Sequence, residues 1–317
     1  MTATLRSITG QFPYWRSARM PAPLQDPSRL RVVIGCGTSY NLALSVAAAM
    51  NVAGYRAIGV PAGEWLARPQ AYTQEAGVEI VALSRSGETT ETVQAAAASR
   101  ARGLRVIGIT CAPGSGLSAA SDQAIEFATH PEEGIVMTAS ASLMLLAGYA
   151  QAGLPVGGEV ATRAGALLDG FAAVPIDAYA RHRHFVFLGG GAQYGVALEG
   201  ALKLQEMALC FTQGFHPGEY RHGPVSLLDA ATAIVMLYSA DTAGHEAVLA
   251  AELQAKGAWV LGLGGPGDVS LPVASKGALT GAEVLPVLQL LGERYAQAKG
   301  IDTTAPRHLT KVVVLGA

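Results

Sequence analysis

The chain repeats one pattern of strands, turns and helices, and the second copy follows the first at a nearly constant distance. Strand-like apolar runs that end in glycine or hydroxyl residues lie in the first half at 31–35, 79–83 and 105–109. The second half has such runs at 184–189, 233–238 and 259–263. Equivalent residues, such as Gly35 and Gly189 or Tyr40 and Tyr194, are about 154 positions apart. This constant shift predicts a duplicated α/β domain.

Alanine-rich helical stretches separate the runs, so each copy predicts an open, doubly wound parallel sheet with helices on both faces. The 317 residues exceed what one hydrophobic core usually organises, and 50% hydrophobic with only 15% charged residues suits buried parallel strands. The join is predicted near 170–178. The resulting prediction is an N-terminal segment 1–23, domains 24–170 and 171–300, and a tail 301–317 that covers a site.

The helix that follows the run 184–189 carries charged residues on an otherwise apolar surface. Glu199, Lys203 and Glu206 fall within about 60° of one another on a helical wheel. Apolar residues cover nearly all of the remaining circumference, so the helix should be buried with its charges facing a partner, a cleft or a ligand. The alternative is a solvated Glu199 and Lys203 pair at i,i+4 spacing, which stabilises a helix by only roughly 0.2–0.5 kcal/mol.

A hydroxyl-rich turn follows the run 79–83 and leads into an alanine-rich helix. Its residues Ser84, Ser86, Gly87 and Thr89 form the sequence of strand, hydroxyl turn and helix start that is typical of an anion site. Helix N-terminal amides and the three hydroxyls can hold a phosphate, and Gly87 lets the backbone approach it closely. An ordinary capping turn, with Ser86 or Thr89 as N-cap, is the alternative.

A second hydroxyl turn, with Thr38 and Ser39, follows the run 31–35. Because the carboxyl ends of parallel strands meet at one edge of the sheet, the two turns should converge on the same crevice. Neither GxxxxGK[ST] nor a strand-coupled GxGxxG occurs, since the run of glycines at 189–191 continues as AQY. We therefore predict a phosphate site without a nucleotide or nicotinamide cofactor.

Charge and cysteine content restrict the partners and the compartment. The formal net charge is −2 and no run of Lys or Arg occurs, which gives no electrostatic surface for nucleic acid or an anionic membrane but permits a small anionic ligand. Cys36, Cys111 and Cys210 are odd in number and lack metal-type spacing, so reduced, mostly buried thiols without a catalytic role are predicted. The N-terminus does not have the pattern of a signal peptide, and we predict a cytoplasmic protein.

Five ordered motifs resemble those of the sugar isomerase (SIS) family. They read CGTS at 36–39, SRSGET at 84–89, ALEGALKLQE at 197–206, GEYRHGP at 218–224 and PRHLTK at 306–311. The resemblance covers nearly the whole chain and is strongest to the isomerase half of glucosamine-6-phosphate synthase and to single-module deaminases. It implies two tandem SIS domains, each a doubly wound, flavodoxin-like parallel sheet flanked by helices.

The resemblance also implies roles for individual residues. The 6-phosphate of a sugar would be held by Thr38, Ser39, Ser84, Ser86 and Thr89. Glu206 would shuttle a proton between carbons 1 and 2, and His222, contributed by the neighbouring subunit of a homodimer, would open the sugar ring. The groups around the reacting carbons would be Lys203, Lys311 and Glu199. These residue types suit the chemistry, because proton transfer next to a carbonyl needs a carboxylate base and cationic or hydrogen-bonding groups.

The expected activity is therefore the interconversion of aldose and ketose forms of an amino sugar 6-phosphate with release of ammonia, as in a glucosamine-6-phosphate deaminase. Three alternatives remain open: a ketosamine-6-phosphate deglycase, a phosphosugar isomerase that does not deaminate, and a regulatory protein that only binds a phosphosugar. No helix-turn-helix pattern precedes the repeat, which disfavours a transcription regulator. A regulator would also have little use for Glu206 and Lys203 together.

Two departures from the family pattern affect the expected substrate. The synthase needs an N-terminal cysteine nucleophile to hydrolyse glutamine, but this chain begins Met1-Thr2 and has no cysteine before Cys36. Glutamine is therefore not the expected source of ammonia. Where relatives carry a Thr-Lys-Ser-Phe-Thr type of segment, this chain has Ala139 and Ala141 in place of the lysine and the aromatic residue.

The histidine motif has other interpretations. His222 precedes Gly223 and Pro224 and is compatible with a helix-entry turn. With His216 and Glu219 it is also compatible with a metal site, but no second ligand pair supports one, and no metal is predicted.

Overall fold

The computed structural model describes residues 1–315, and its first half contains five strands and eight helices. They are, in chain order, α1 (Ala3–Thr9), α2 (Phe12–Ser17), β1 (Leu30–Gly35), α3 (Thr38–Val52), β2 (Arg56–Pro61), α4 (Ala62–Ala67), β3 (Glu79–Leu83), α5 (Thr90–Ala101), β4 (Arg105–Thr110), α6 (Gly116–Ala120), β5 (Gln123–Glu126), α7 (Ala139–Gln151) and α8 (Gly158–Ala172).

The second half begins with β6 at His184 and repeats the alternation of strands and helices. Its elements are β6 (His184–Gly189), α9 (Ala192–Ala208), β7 (Phe211–Phe215), α10 (Pro217–Tyr220), β8 (Thr232–Leu237), α11 (Ala243–Ala255), β9 (Trp259–Leu263), β10 (Val269–Leu271) and α12 (Leu279–Ala298). Short 3-10 turns lie at Pro69–Ala71, Ile176–Ala178 and Pro224–Leu227.

Each half builds one five-stranded sheet, and every strand pair is parallel. The strand orders are β2-β1-β3-β4-β5 and β7-β6-β8-β9-β10. Both are the doubly wound order 2-1-3-4-5, in which the second strand lies outside the first. The predicted fold class and duplication are therefore confirmed. The six predicted strands are all present, and their ends differ from the prediction by at most one residue.

The two sheets are joined through a core in which α3 of the first half packs against α9 of the second. Gly195 allows this close approach, since a Cβ there would lie 2.3 Å from the Asn41 carbonyl oxygen and 2.6 Å from the Ser45 nitrogen. The Ser45 hydroxyl donates to the Ala192 carbonyl at 2.6 Å, which joins the middle of α3 to the start of α9. The helices that follow β1 and β6 therefore pack directly against each other.

Helices α7, α8 and α12 extend this core, and α1 and α2 pack against them. Gln289 on α12 accepts a hydrogen bond from Gln11 at 3.0 Å and donates to the Thr138 carbonyl at 3.0 Å. The predicted domain boundaries stay a prediction. Helix α8, which the sequence analysis assigns to the first domain, packs mainly on α12 of the second half. In the described part of the chain, no helix combines the length and apolar character needed to cross a bilayer.

Candidate active site

A cavity of about 210 Å³ opens at the carboxyl ends of β1 and β3. Five parts of the chain line it: the turn after β1, the turn and helix start after β3, the segment before α7, one turn of α9, and the C-terminal tail. The lining residues are Cys36, Gly37, Thr38, Ser39, Leu83, Ser84, Arg85, Ser86, Thr89, Glu91, Thr92, Ile135, Met137, Glu206, Leu309, Thr310, Lys311 and Val313. The structure therefore brings both predicted hydroxyl turns, Glu206 and Lys311 together in one space.

The turn after β3 is held by its own serines. The hydroxyl oxygens of Ser84 and Ser86 accept the backbone N–H groups of Gly87 and Glu88, each at 3.2 Å. Both hydroxyls keep a proton to donate to a ligand, because accepting a bond leaves the O–H free. Thr89 stands at the N-cap of α5, and its side chain makes no capping bond there.

Gly87 is required by the backbone rather than by a ligand. Its φ is +64°, and a Cβ at this position would lie 1.9 Å from the Ser115 hydroxyl oxygen. The residue is not among those that line the cavity. The close contact at Gly87 is therefore with Ser115 on the neighbouring segment, and the predicted approach to a phosphate stays a prediction.

Thr38 differs from its predicted role as a phosphate ligand. Its hydroxyl donates to Glu199 Oε1 at 3.0 Å and accepts from Lys203 Nζ at 3.1 Å. A hydroxyl has one proton to donate, and that proton is committed to a carboxylate. Ser39, next in the turn, also lines the cavity, and its role as a phosphate ligand stays a prediction, whereas the Thr38 hydroxyl connects the turn to α9.

Two of the three charged residues on α9, Glu199 and Lys203, are buried, as the apolar residues around them on the helix predict. The side chains of Glu199 and Lys203 are 0% exposed and lie 3.3 Å apart, so the alternative of a solvated pair is wrong. Burial raises the pKa of the Glu199 carboxyl, against the opposing influence of Lys203. Burial disfavours the Lys203 ammonium, but Glu199 and Glu206 outweigh it and raise the pKa of Lys203.

Of the three charged residues on α9, Glu206 is the one that lines the cavity. Its side chain is 18% exposed, and Oε2 accepts from Lys203 Nζ at 2.5 Å. The buried ammonium behind Glu206 fixes the direction of the carboxylate. A carboxylate that is oriented from behind and open in front can accept a proton from a bound molecule.

The C-terminal tail covers one side of the cavity. The backbone N–H of Thr90 at the start of α5 donates to Val313 at 3.3 Å, and the Thr90 hydroxyl accepts from the Leu315 N–H at 3.0 Å. Lys311 lines the cavity, and its ammonium donates to the Glu133 carbonyl at 3.1 Å. The last two residues of the predicted tail, 316–317, lie outside the described residues.

His222 does not reach the cavity of its own chain. It is exposed in the turn after α10, and its backbone N–H donates to the Glu219 carbonyl at 3.0 Å. Within residues 1–315, no three His, Cys, Asp or Glu side chains form a group suited to hold a metal ion. Cys36 does line the cavity, but burial raises the pKa of its thiol, which opposes the reactive thiolate form.

Two residues of the site were not selected from the sequence. Glu133 is buried, and its Oε1 accepts from the backbone N–H and hydroxyl groups of both Thr138 and Ser140 at distances of 2.5 to 3.1 Å. It thereby caps the start of α7, next to the fully buried Ala139 and Ala141. Arg85 lies between Ser84 and Ser86 in the turn after β3 and lines the cavity. The position of Arg85 in the SRSGET motif could have identified it from the sequence, whereas no sequence pattern indicated Glu133.

Comparison with known proteins agrees with this arrangement. The chain matches the family model described as SIS domain over residues 26–152 and 178–278. It is 31% identical over 309 residues to glutamine–fructose-6-phosphate aminotransferase (isomerizing) of Pyrobaculum aerophilum, covering 89% of this chain and 51% of that protein. The chain thus spans about half the length of the curated relatives it matches.

Two solved structures with the same architecture align with nearly the whole chain. The crystal structure of glucosamine-6-phosphate deaminase from Thermotoga maritima aligns with a TM-score of 0.87 and 32% identity, covering 99% of this chain and 100% of that one. Tagatose-6-phosphate ketose/aldose isomerase from Escherichia coli aligns with a TM-score of 0.77 and 23% identity, covering 98% of this chain and 90% of that one, and shares the fold.

Proposed function

Because the chain belongs to the SIS domain family, we propose that it is an enzyme that converts an amino sugar 6-phosphate into a ketose 6-phosphate with release of ammonia. One observation carries the proposal: hydroxyl groups suited to a phosphate, an oriented carboxylate and a lysine line the same cavity. The structure of similar extent from T. maritima is that of a glucosamine-6-phosphate deaminase, which favours an amino sugar.

The phosphate group of the substrate is assigned to the turn after β3 and to Ser39. Ser84, Ser86 and Thr89 supply hydroxyl donors at the start of α5, where the helix dipole favours negative charge. This placement sends the sugar carbons toward Glu206 and Lys311, which line the same cavity.

Glu206 is assigned the proton transfer. In the open-chain aldose, Glu206 takes the proton from carbon 2, and the electrons of that bond form a double bond between carbons 1 and 2 while the carbonyl electrons move to oxygen 1. Oxygen 1 takes a proton from water, Glu206 returns its own proton to carbon 1, and the amino group loses one proton to water. The product is an imine at carbon 2, and water hydrolyses it to the ketone and ammonia. Lys203 keeps Glu206 oriented, and Lys311 provides a positive charge for the developing enolate oxygen.

An ammonia-release assay tests this function. Purified protein is given glucosamine, galactosamine and ketosamine 6-phosphates, and both ammonia and solvent deuterium at carbons 1 and 2 are measured. Ammonia from an aldosamine supports the proposal. Ammonia from the ketosamine alone indicates a deglycase, and deuterium exchange into ketose 6-phosphate without ammonia indicates a plain isomerase. Tight binding without turnover indicates a regulatory protein.

Replacement of Ser86 by alanine should weaken the binding of phosphorylated ligands by about tenfold, the loss expected for one hydrogen bond to a charged group. The affinity for fructose 6-phosphate and for inorganic phosphate is measured by calorimetry. Ser239→Ala is the matched control, because Ser239 follows β8 in the second half, has a buried hydroxyl and does not line the cavity. Equal affinity in wild type and Ser86→Ala would remove the phosphate from this turn.

A homodimer with shared sites is also proposed, because His222 is exposed and does not line the cavity of its own chain. Mixing inactive His222→Ala and Glu206→Gln proteins should restore activity. One site of each mixed dimer then has an intact Glu206 and the partner's intact histidine, whereas the other site has both substitutions. If subunits exchange and no activity above the two parents appears, the site is built within one chain.

A further inference from the structure

Arg85 is the centre of a hydrogen-bond cluster that joins three segments around the cavity. The side chain is 92% buried, given its 8% exposed fraction. Its Nη1 donates to the carbonyls of Gly134 at 3.0 Å and Ile135 at 2.8 Å, and Nη2 donates to the carbonyl of Lys311 at 2.8 Å. One guanidinium therefore holds the segment before α7 and the C-terminal tail to the phosphate turn.

One donor of this guanidinium has no use within the described protein. Arg85 Nε is buried and has no hydrogen-bond partner among the described residues, although the residue lines the cavity. Arginine has only donors, and a buried donor that is left unpaired lowers stability. The group that completes this site must therefore be an acceptor, and an anionic oxygen suits a cation best.

We propose that Arg85 couples ligand binding to the position of the C-terminal tail. Its Nε donates to an oxygen of the sugar phosphate, while its Nη groups hold Lys311 and the segment before α7. The inference rests on the proposed function for the nature of the ligand. It adds a side-chain contact to an anion site that is otherwise made of hydroxyls and amides.

The planar guanidinium explains why an arginine is needed here. Its five N–H groups have a fixed geometry, so a ligand at Nε sets the plane in which the Nη groups meet the tail carbonyl. Coupling between two sites is reciprocal, and a seated tail should therefore also strengthen ligand binding. Lysine keeps the charge but has a single flexible ammonium, which cannot hold three carbonyls and a ligand together.

Arg85→Lys tests the coupling, with Arg294→Lys as the matched control. Arg294 also holds two backbone carbonyls, those of Phe171 at 3.0 Å and Val174 at 2.8 Å, but it lies outside the cavity. Tail position is measured by tryptic cleavage after Arg307 and Lys311, and affinity by calorimetry with glucosamine 6-phosphate and inorganic phosphate. Thermal melting confirms that each variant is folded.

In wild type, glucosamine 6-phosphate should slow cleavage of the tail. In Arg85→Lys, we expect affinity to fall by about tenfold to a hundredfold and the protection of the tail by ligand to disappear. Arg294→Lys should lower the melting temperature and leave affinity and protection unchanged.

Wild-type affinity and wild-type tail protection in Arg85→Lys would overturn the coupling while leaving the proposed function intact. A wild type that binds glucosamine 6-phosphate with no change in tail cleavage overturns it as well, and this result needs no variant. A wild type that binds no sugar phosphate overturns both the coupling and the proposed function.

Discussion

Replacement of Glu206 by glutamine is expected to lower turnover by about a hundredfold or more, while sugar phosphate binding persists. Glutamine keeps the shape of the side chain and removes its basicity, and acid–base catalysis by one residue typically contributes on the order of 10² to 10⁴ in rate. Glu206 lines the cavity and is oriented from behind by Lys203, so the substitution removes the base and leaves the phosphate turn unchanged.

The measurement combines steady-state turnover with the entry of solvent deuterium at substrate carbon 2. Glu159→Gln is the matched control, because Glu159 is on α8 with a 91% exposed side chain and should leave both rates unchanged. Wild-type deuterium entry in Glu206→Gln would assign the proton transfer to another residue. Loss of ligand binding in this variant would instead mean that Glu206 positions the substrate.

Replacement of Lys203 by methionine is expected to lower the free energy of unfolding by about 3–5 kcal/mol, the loss typical of removing one partner of a buried ion pair. Methionine fills a similar volume, but Glu199 then remains fully buried without a cation. Among residues 1–315, the side chains of Thr38 and Asn41 are then the ones that still donate to its carboxylate. Urea unfolding followed by circular dichroism measures the loss.

The loss caused by Lys203→Met should become smaller at acidic pH. Burial raises the pKa of Glu199 in the folded protein above its value in the unfolded chain, and the loss of Lys203 removes the group that opposes this rise. Between the two pKa values the folded state binds more protons than the unfolded state. Stability of the variant therefore falls as pH rises through this interval and recovers as pH falls.

Glu199→Gln combined with Lys203→Met is the control, because it removes the unpaired charge. The double variant should be more stable than Lys203→Met alone, and its stability should lose the pH dependence that Glu199 contributes. A loss below about 1 kcal/mol in Lys203→Met would contradict a buried pair, since exposed ion pairs contribute only that much.

The fold and the meeting of the two hydroxyl turns at one cavity could be predicted from the sequence, because both depend on local periodicity. Buried parallel strands give continuous apolar runs, and β1 and β3 end at the hydroxyl turns that line the cavity. The burial of Lys203 also follows from periodicity, since a helix with apolar residues on nearly all sides has few places for a charge. The domain boundaries and the assignment of His222 to a partner remain predictions.

The sequence alone therefore determined the duplicated doubly wound sheets, the hydroxyl turn after β3 and the helix with buried charges. Only the tertiary structure decided how the polar groups share their hydrogen bonds. Thr38 and Glu199 are 161 positions apart, and Arg85 and Lys311 are 226 apart, yet each pair is joined by a hydrogen bond. Periodicity describes the face of one element, whereas the partner of a donor depends on which distant segment packs against it. For this reason periodicity alone did not show that Thr38 bonds to α9 or that Arg85 bonds to the C-terminal tail.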